Sequence, residues 1–418
     1  MATTSADRIL SLDIIRGIAV MGIFSVNVVG MAMIEQAYFY PPAYGFESLG
    51  DRIMWAANFI IVDGKFRSLF SILFGASMVL VIERAVAAGK AGWKVHYARM
   101  IVLLLFGLAH FYLLWWGDIL SNYALVGMIA FVFWRLSPKW LLLGAVVSLG
   151  LMYVPMVVQG TQQMTEMAAK AAPDASAEDH AFIAERMAEL TPSPETLAHE
   201  KAAHATLPAH LDATLEDQPW RPFQSVPGYG LETLGLMLLG MAGYKSGFLT
   251  GSWSRRRYAQ VAAVCVGFSL AIFSYAAFRI LQADFDPFTY FPWEQIYVFP
   301  VHPISAIGYA ALIMLLFKRG AVADRFAAVG RAAFTNYLGS TLFGIVVFYG
   351  FAFGLYGEVS RSEAWLFVPL VWAVMLLWSK PWLDRFRYGP FEWAWRSLSR
   401  WRWEPMRRRP AEALPATA

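Results

Sequence analysis

The chain is short of charge. Only 15% of its 418 residues are Asp, Glu, Lys or Arg, while 58% are hydrophobic. A soluble domain carries about 25% charged residues, so this deficit excludes one and points to an integral membrane protein. Cysteine is nearly absent: Cys265 stands alone, which excludes an intramolecular disulfide and leaves the redox compartment unread. Basic residues are missing from 34–51 and again from 282–294, and no histidine occurs between 28 and 95. No small-x-small cleavage site follows the first apolar run, which Arg16 interrupts, so that run reads as a retained span and not as a signal peptide. The net charge of +4 comes from short clusters between apolar segments, which argues against a nucleic-acid partner.

What is present is apolar sequence of spanning length. Ten segments qualify: 12–32, 66–81, 100–116, 119–134, 140–158, 229–248, 258–281, 297–317, 334–354 and 365–378. About 20 apolar residues at ~1.5 Å per residue cover a ~30 Å hydrocarbon core. The fold expected is therefore all-α and polytopic, with about ten transmembrane helices. Residues 52–63 read as a short interfacial helix ahead of the second span. Lys and Arg cluster at 84–99, 135–139, 245–257, 318–331 and in the tail after Trp378, so both termini are expected in the cytoplasm of a bacterial inner membrane.

Four regions follow: a bundle over 1–159, an acidic external loop over 160–226, a second bundle over 227–380, and an interfacial tail over 381–418. The loop holds eleven acidic against four basic residues. Four histidines lie in it, His180, His199, His204 and His210. His199 and His204 are i, i+5, off the i, i+3 or i, i+4 spacing of a helical metal pair, so these side chains read as solvated and no metal site is expected. The tail, rich in Trp and Arg, reads as a helix lying against headgroups.

Several polar groups lie within or beside the apolar segments. Arg16 and Asn27 are i and i+11, about three helical turns, which puts both on one face ~16 Å apart. An Arg at the membrane centre costs at least about 2.5 kcal/mol, so this face either lines a site or lets Arg16 snorkel to the headgroups. Arg99 and His110 repeat the spacing. Asp118 follows a short turn, within reach of His110, and a carboxylate that orients an imidazole suits a general base; the alternative is a histidine capping a helix end. Asn122, Glu232, Glu294 and His302 belong to the same outer layer, and Arg279 is expected to pair with Glu294 or Asp284. Arg8, Asp13, Arg16 and Arg99 supply cytoplasmic charge. Lys65 and Arg67 fall at the outer start of the second span, either lining an outer cavity or adding to the cytoplasmic set.

These residues carry a resemblance. Ser11-Leu12-Asp13-Ile14-Ile15-Arg16-Gly17 running to Val26-Asn27 resembles the opening span of the YeiB-like family of bacterial membrane proteins, as do 65–75, 107–110 and 116–120. Gly330-Arg331, Thr335-Asn336-Tyr337-Leu338 and 386–393 resemble its domain of unknown function. The family looks distantly similar to membrane acyltransferases, the type-3 enzymes and the lysosomal heparan glucosaminide acetyltransferase. The type-3 catalytic His position is Asn27 here, and the lysosomal one has no counterpart. The resemblance implies a fold more than a reaction; the function expected is an acyltransferase that takes an acyl group from cytoplasmic acyl-CoA, with no bound cofactor, and passes it to an outward-facing small-molecule, sugar or lipid acceptor. Arg16 and Arg99 would attract the donor phosphates, with Asp13, Arg67, Glu232 and His302 also in the substrate site. His110, oriented by Asp118, would act as base and Asn27 would donate to the oxyanion. The rival expectation is a transporter or exporter of a small or lipid-like solute along the same polar residues.

Overall fold

The computed structural model describes residues 9–317 and 319–408; Arg8 and Lys318 lie outside them. Among the described residues there are helices and no strand. The chain opens with α1 (Leu10–Ala32), the short α2 (Glu35–Phe39), α3 (Leu49–Ile61), α4 (Lys65–Ala87), α5 (Gly92–Leu113) and α6 (Leu120–Ala130). Next come α7 (Pro138–Lys170), α8 (Ala177–Glu189), α9 (Pro194–Ala203), α10 (Leu207–Asp217) and α11 (Arg221–Lys245). The remainder is α12 (Arg255–Gln282), α13 (Pro287–Phe291), α14 (His302–Leu316), α15 (Ala321–Arg331), α16 (Ala333–Phe348), α17 (Arg361–Trp365), α18 (Phe367–Arg385) and α19 (Pro390–Ser399).

Seven stretches are helical, long and apolar enough to cross a membrane: 10–32, 49–87, 92–113, 138–170, 255–282, 287–316 and 361–385. The apolar helices 120–133 and 333–348 are shorter. Every apolar segment named from sequence overlaps a helix, although 334–354 outruns α16, which ends at Phe348, and 52–63 falls within α3 and the turn after it. Several helices start on side-chain caps. Ser48 and Ser360 each form a reciprocal capping box, with Asp51 and Glu363, while Ser176, Ser193 and Thr206 accept the first free N–H groups of α8, α9 and α10.

Two close crossings organise the bundle. A Cβ on Gly330 would sit 1.8 Å from the Asp13 carbonyl, and one on Gly17 2.1 Å from that of Phe326, so α1 and α15 touch backbone to backbone. Gly75 and Gly240 do the same for α4 and α11, with hypothetical Cβ atoms 2.0 Å from the Met237 oxygen and 1.8 Å from the Ile72 oxygen. Helices surrounded by lipid gain no hydrophobic energy from pairing, so close approach through small residues is what holds them.

At the end carrying the basic loops, cations close helix C-termini. Lys245 does so at the Trp134 and Leu136 carbonyls after α6, while Arg325 donates to the Leu376 carbonyl within α18 at 3.2 Å. The tail helix docks here as a clasp. Glu392 accepts from the Phe334 and Thr335 N–H groups at 2.7 and 3.1 Å and from the Thr335 hydroxyl at 2.6 Å, capping α16. Trp395 donates to the Arg99 carbonyl at 2.9 Å. Trp401 and Trp403 beyond it are exposed.

The acidic segment departs from its expected form. Helix α7 runs through position 160 to Lys170, and α9 with α10 folds back over the end of the bundle opposite the basic loops. His204 is half-buried and stacks on Tyr356 with centroids 4.0 Å apart, and His210 is 4% exposed, so these two histidines pack against the bundle and are not solvated. The cause is the aromatic surface of Tyr349 and Tyr356, which sequence spacing could not bring to them. His180 stays exposed, with its ring at 2.8 Å from the Ala172 carbonyl.

Candidate functional site

A small cavity opens where the C-terminal half of α1 meets α2, α3 and α17. Ser25, Val26 and Val29 come from α1, Tyr38 from α2, and Trp55, Asn58 and Phe59 from α3. Asp63 and Arg361 complete the wall around about 30 Å³, room for one or two waters. The groups are not mutually satisfied. The Asn58 Oδ1 and the Arg361 Nε are buried without a hydrogen-bond partner, although Arg361 also donates to the Ala37 carbonyl at 2.5 Å. Among the described residues the Asp63 carboxylate accepts no hydrogen bond. Burial, then the charge of Asp63, pushes the Tyr38 phenol up, so it stays a proton donor at neutral pH.

Local sequence builds this wall. Helix α3 ends at Ile61, and Gly64 turns the chain at φ 66°, a left-handed conformation that favours glycine. A Cβ there would also lie 2.3 Å from the His302 ring. The turn leaves Asp63 at the cavity and sends Lys65 into the protein. Lys65 is fully buried; its Nζ donates to the Phe59 and Asp63 carbonyls at 2.7 and 3.1 Å and sits 3.2 Å from the Phe273 ring centre. His302 stacks on the same ring at 5.4 Å, and its Nδ1 has no partner. Glu294, on a π-helical turn over Pro292–Tyr297, acts electrostatically with Asp63, Lys65 and Arg361. Such turns occur often at functional sites.

The other candidates from sequence divide into pairs. Arg67 binds Glu232 through both nitrogens, at 2.9 and 3.0 Å, and Tyr153 donates to the same carboxylate at 2.9 Å. Lys65 and Arg67 thus share the end of the bundle that holds His302 and Glu232. His110 lies 3.1 Å from Asp118 through Nδ1 and 3.0 Å from the Thr341 hydroxyl through Nε2. That order has the connectivity of a nucleophile–base–carboxylate triad, but the His110 and Asp118 side chains are 0% and 1% exposed. Asp118 also accepts from the Leu120 and Ser121 N–H groups at 3.1 and 2.8 Å, capping α6.

At the opposite end Arg16 is engaged by Asp13 at 3.0 Å and the Ser77 hydroxyl at 2.8 Å, and it reaches the Gly330 carbonyl at 3.5 Å. Arg99 lies over the Trp395 ring at 4.0 Å. Asn27 is half-buried and has no hydrogen-bond partner among the described residues. One expected pairing is corrected: Arg279 donates to Tyr275 at 3.2 Å, while Asp284 is taken by Arg52 at 2.7 Å across the α3–α12 corner. The cavity residues Tyr38, Asn58, Asp63 and Arg361 did not emerge from spacing. The signal that could have raised Arg361 is its sign: a basic residue on the side where basic residues are scarce.

Comparison with known proteins bears on nearly the full chain. Residues 243–402 match the family model described as "Protein of unknown function (DUF418)". The chain is 32% identical to "Uncharacterized protein YeiB" of Escherichia coli (strain K12), covering 94% of this chain and 96% of that one. It is 30% identical to "Uncharacterized protein YxaH" of Bacillus subtilis (strain 168), with 97% of each covered. At 23% identity it matches an "Uncharacterized 39.9 kDa protein in amylase 3'region" of Bacillus acidopullulyticus over 94% of each chain. No solved structure matches.

Proposed function

The chain belongs to the YeiB-like family, and from that premise we propose that it is a multi-pass inner-membrane acyltransferase. The seven long apolar stretches, the two shorter ones and α11 make ten crossings, with both termini cytoplasmic because the basic helix ends gather at one end. The donor is acyl-CoA from the cytoplasm and the acceptor an outward-facing hydroxyl or amine. Asp13, Arg16 and Arg99 belong to the donor's mouth. Ser25 in the cavity lies nine residues beyond Arg16, ~14 Å along the axis, a gap suited to an extended pantetheine arm.

One observation carries this reading: an unpartnered carboxylate and an incompletely partnered guanidinium share one small cavity. Asp63 takes the proton of the acceptor, whose oxygen or nitrogen attacks the thioester carbonyl carbon. Charge gathers on the carbonyl oxygen and is met by the Arg361 N–H, with Asn27 as a further donor. The C–S bond then breaks, and the departing thiolate recovers the proton from Asp63. Lys65, Glu294, His302 and the Arg67–Glu232 pair fix the field around Asp63.

A second reading keeps His110 as base, favoured by its contacts to Asp118 and Thr341. The test is transfer of label from acyl-labelled CoA to hydroxyl or amine acceptors by the purified full chain in lipid nanodiscs. Asp63→Asn should lower transfer about 10²-fold or more while His110→Gln leaves most of it. The reverse order would assign the base to His110. Solute movement with no acylated product in any preparation would favour the transporter.

A further inference from the structure

The outer segment is fastened to the cavity by a short relay. Arg221, opening α11, pairs with Glu35 at 2.7 Å and lies over the Trp116 ring at 4.6 Å. Gln218 donates to Glu35 at 3.2 Å, and the Glu35 N–H donates to Glu200 of α9 at 3.4 Å. Glu35 begins α2, and the same five-residue helix supplies Tyr38 to the cavity wall and the Ala37 carbonyl that holds Arg361. Where α9–α10 sits therefore bears on where Arg361 sits.

The docking surface is built around two imidazoles with no carboxylate bonded to either. His204 and His210 face each other with centroids 5.4 Å apart, and both meet Tyr349, at 4.6 and 5.2 Å. His204 bonds its own-helix Glu200 carbonyl at 2.8 Å, and its backbone carbonyl accepts from the Gly350 N–H at 2.9 Å. His210 Nε2 is buried without a partner. The groups around them come from every packed element. Helix α5 offers the Leu114 carbonyl, and the loop after α16 offers Tyr349 and Tyr356. Helix α2 offers Glu35, while α9 itself carries His199, Glu200 and Lys201, the last paired with Glu358 at 2.7 Å. Glu200 accepts from the Tyr356 hydroxyl at 2.7 Å.

We propose that α9–α10 is an acid-released strap: protonation of the His204–His210 pair undocks it, and α2 carries that release to Arg361 and the cavity. Burial, then the neighbouring His210, pushes the His204 imidazole down to about 4, and burial pushes His210 down as well. The sign follows. A base whose affinity for protons falls on docking favours the docked form fully above its free value, about 6.5, and loses that contribution as pH drops toward the docked value. Glu200, pushed up by burial, works the other way: it favours docking as pH falls through its raised value, above the free carboxylate range, and so offsets part of the histidine effect. Between pH 7.5 and 5.5 His204 alone weakens docking about tenfold.

The test is amide hydrogen exchange on the full chain in nanodiscs, corrected for the intrinsic pH dependence of exchange, so it needs no activity. Protection of 194–217 and of 35–39 should fall at least about tenfold from pH 7.5 to 5.5 in wild type. It should stay flat in the His204→Gln/His210→Gln chain. At pH 7.5, Glu35→Arg should loosen 35–39, and adding Arg221→Glu should restore it. Flat wild-type protection, or an equal fall in the double-Gln chain, would overturn the strap and leave the acyl-transfer reading standing. Loss of acyl transfer with the exchange pattern intact would do the converse.

Discussion

Two sets of ionisable groups lie inside this protein, and they are finished differently. In the His110–Asp118–Thr341 set both ring nitrogens are engaged, and Asp118 also caps α6. Around the cavity, Asn58 Oδ1, Arg361 Nε and the Asp63 carboxylate are left open toward a shared space. An unpaired polar group in a low-dielectric interior is costly, so it persists where something other than the fold makes use of it. A satisfied network marks architecture and an unsatisfied one beside a void marks a site, whatever the residue types.

The sharpest way to break this comparison is through the Arg67–Glu232 pair, which stands with the satisfied set. Glu232→Ala strands Arg67 and the Tyr153 hydroxyl and should lower stability by about 3 kcal/mol, read as a fall in the unfolding temperature of purified protein. Asp63→Asn should act in the opposite manner, with transfer down about 10²-fold and stability within ~0.5 kcal/mol of wild type. A stability loss matching that of Glu232→Ala would move Asp63 into the architectural set. Thr341→Val leaves His110 Nε2 without its partner and should cost about 1–2 kcal/mol of stability, with transfer kept. Loss of transfer at full stability would make the triad-like order functional after all. Glu392→Gln keeps the shape of the α16 cap and removes its charge, for a loss of about 1 kcal/mol at the tail-helix clasp. Trp401→Ala, at an exposed ring, should change stability by less than ~0.5 kcal/mol.

Much of the candidate site was half-legible. The Asp118–His110 contact follows from two groups flanking a short turn, and local geometry suffices to predict it. Glu232 was visible as an ionisable group in an apolar segment, yet its partner Arg67 is 165 positions away. Arg361 is 324 positions from the carbonyl that orients it. Periodicity speaks of faces on one helix, so it put Arg16 and Asn27 on a stripe without saying what the stripe meets.

The sequence by itself determined that this is an all-helical membrane protein, where its apolar helices lie and which of their ends carry the positive charge. Those properties are set by composition and by local periodicity, which each segment carries alone. Only the tertiary structure decided that His110 is sealed, that two loop histidines pack against tyrosines, and that Asp63 and Arg361 share a cavity. Whether a polar group is satisfied depends on partners hundreds of residues away, brought together by glycine-lined crossings whose close fit no single helix records.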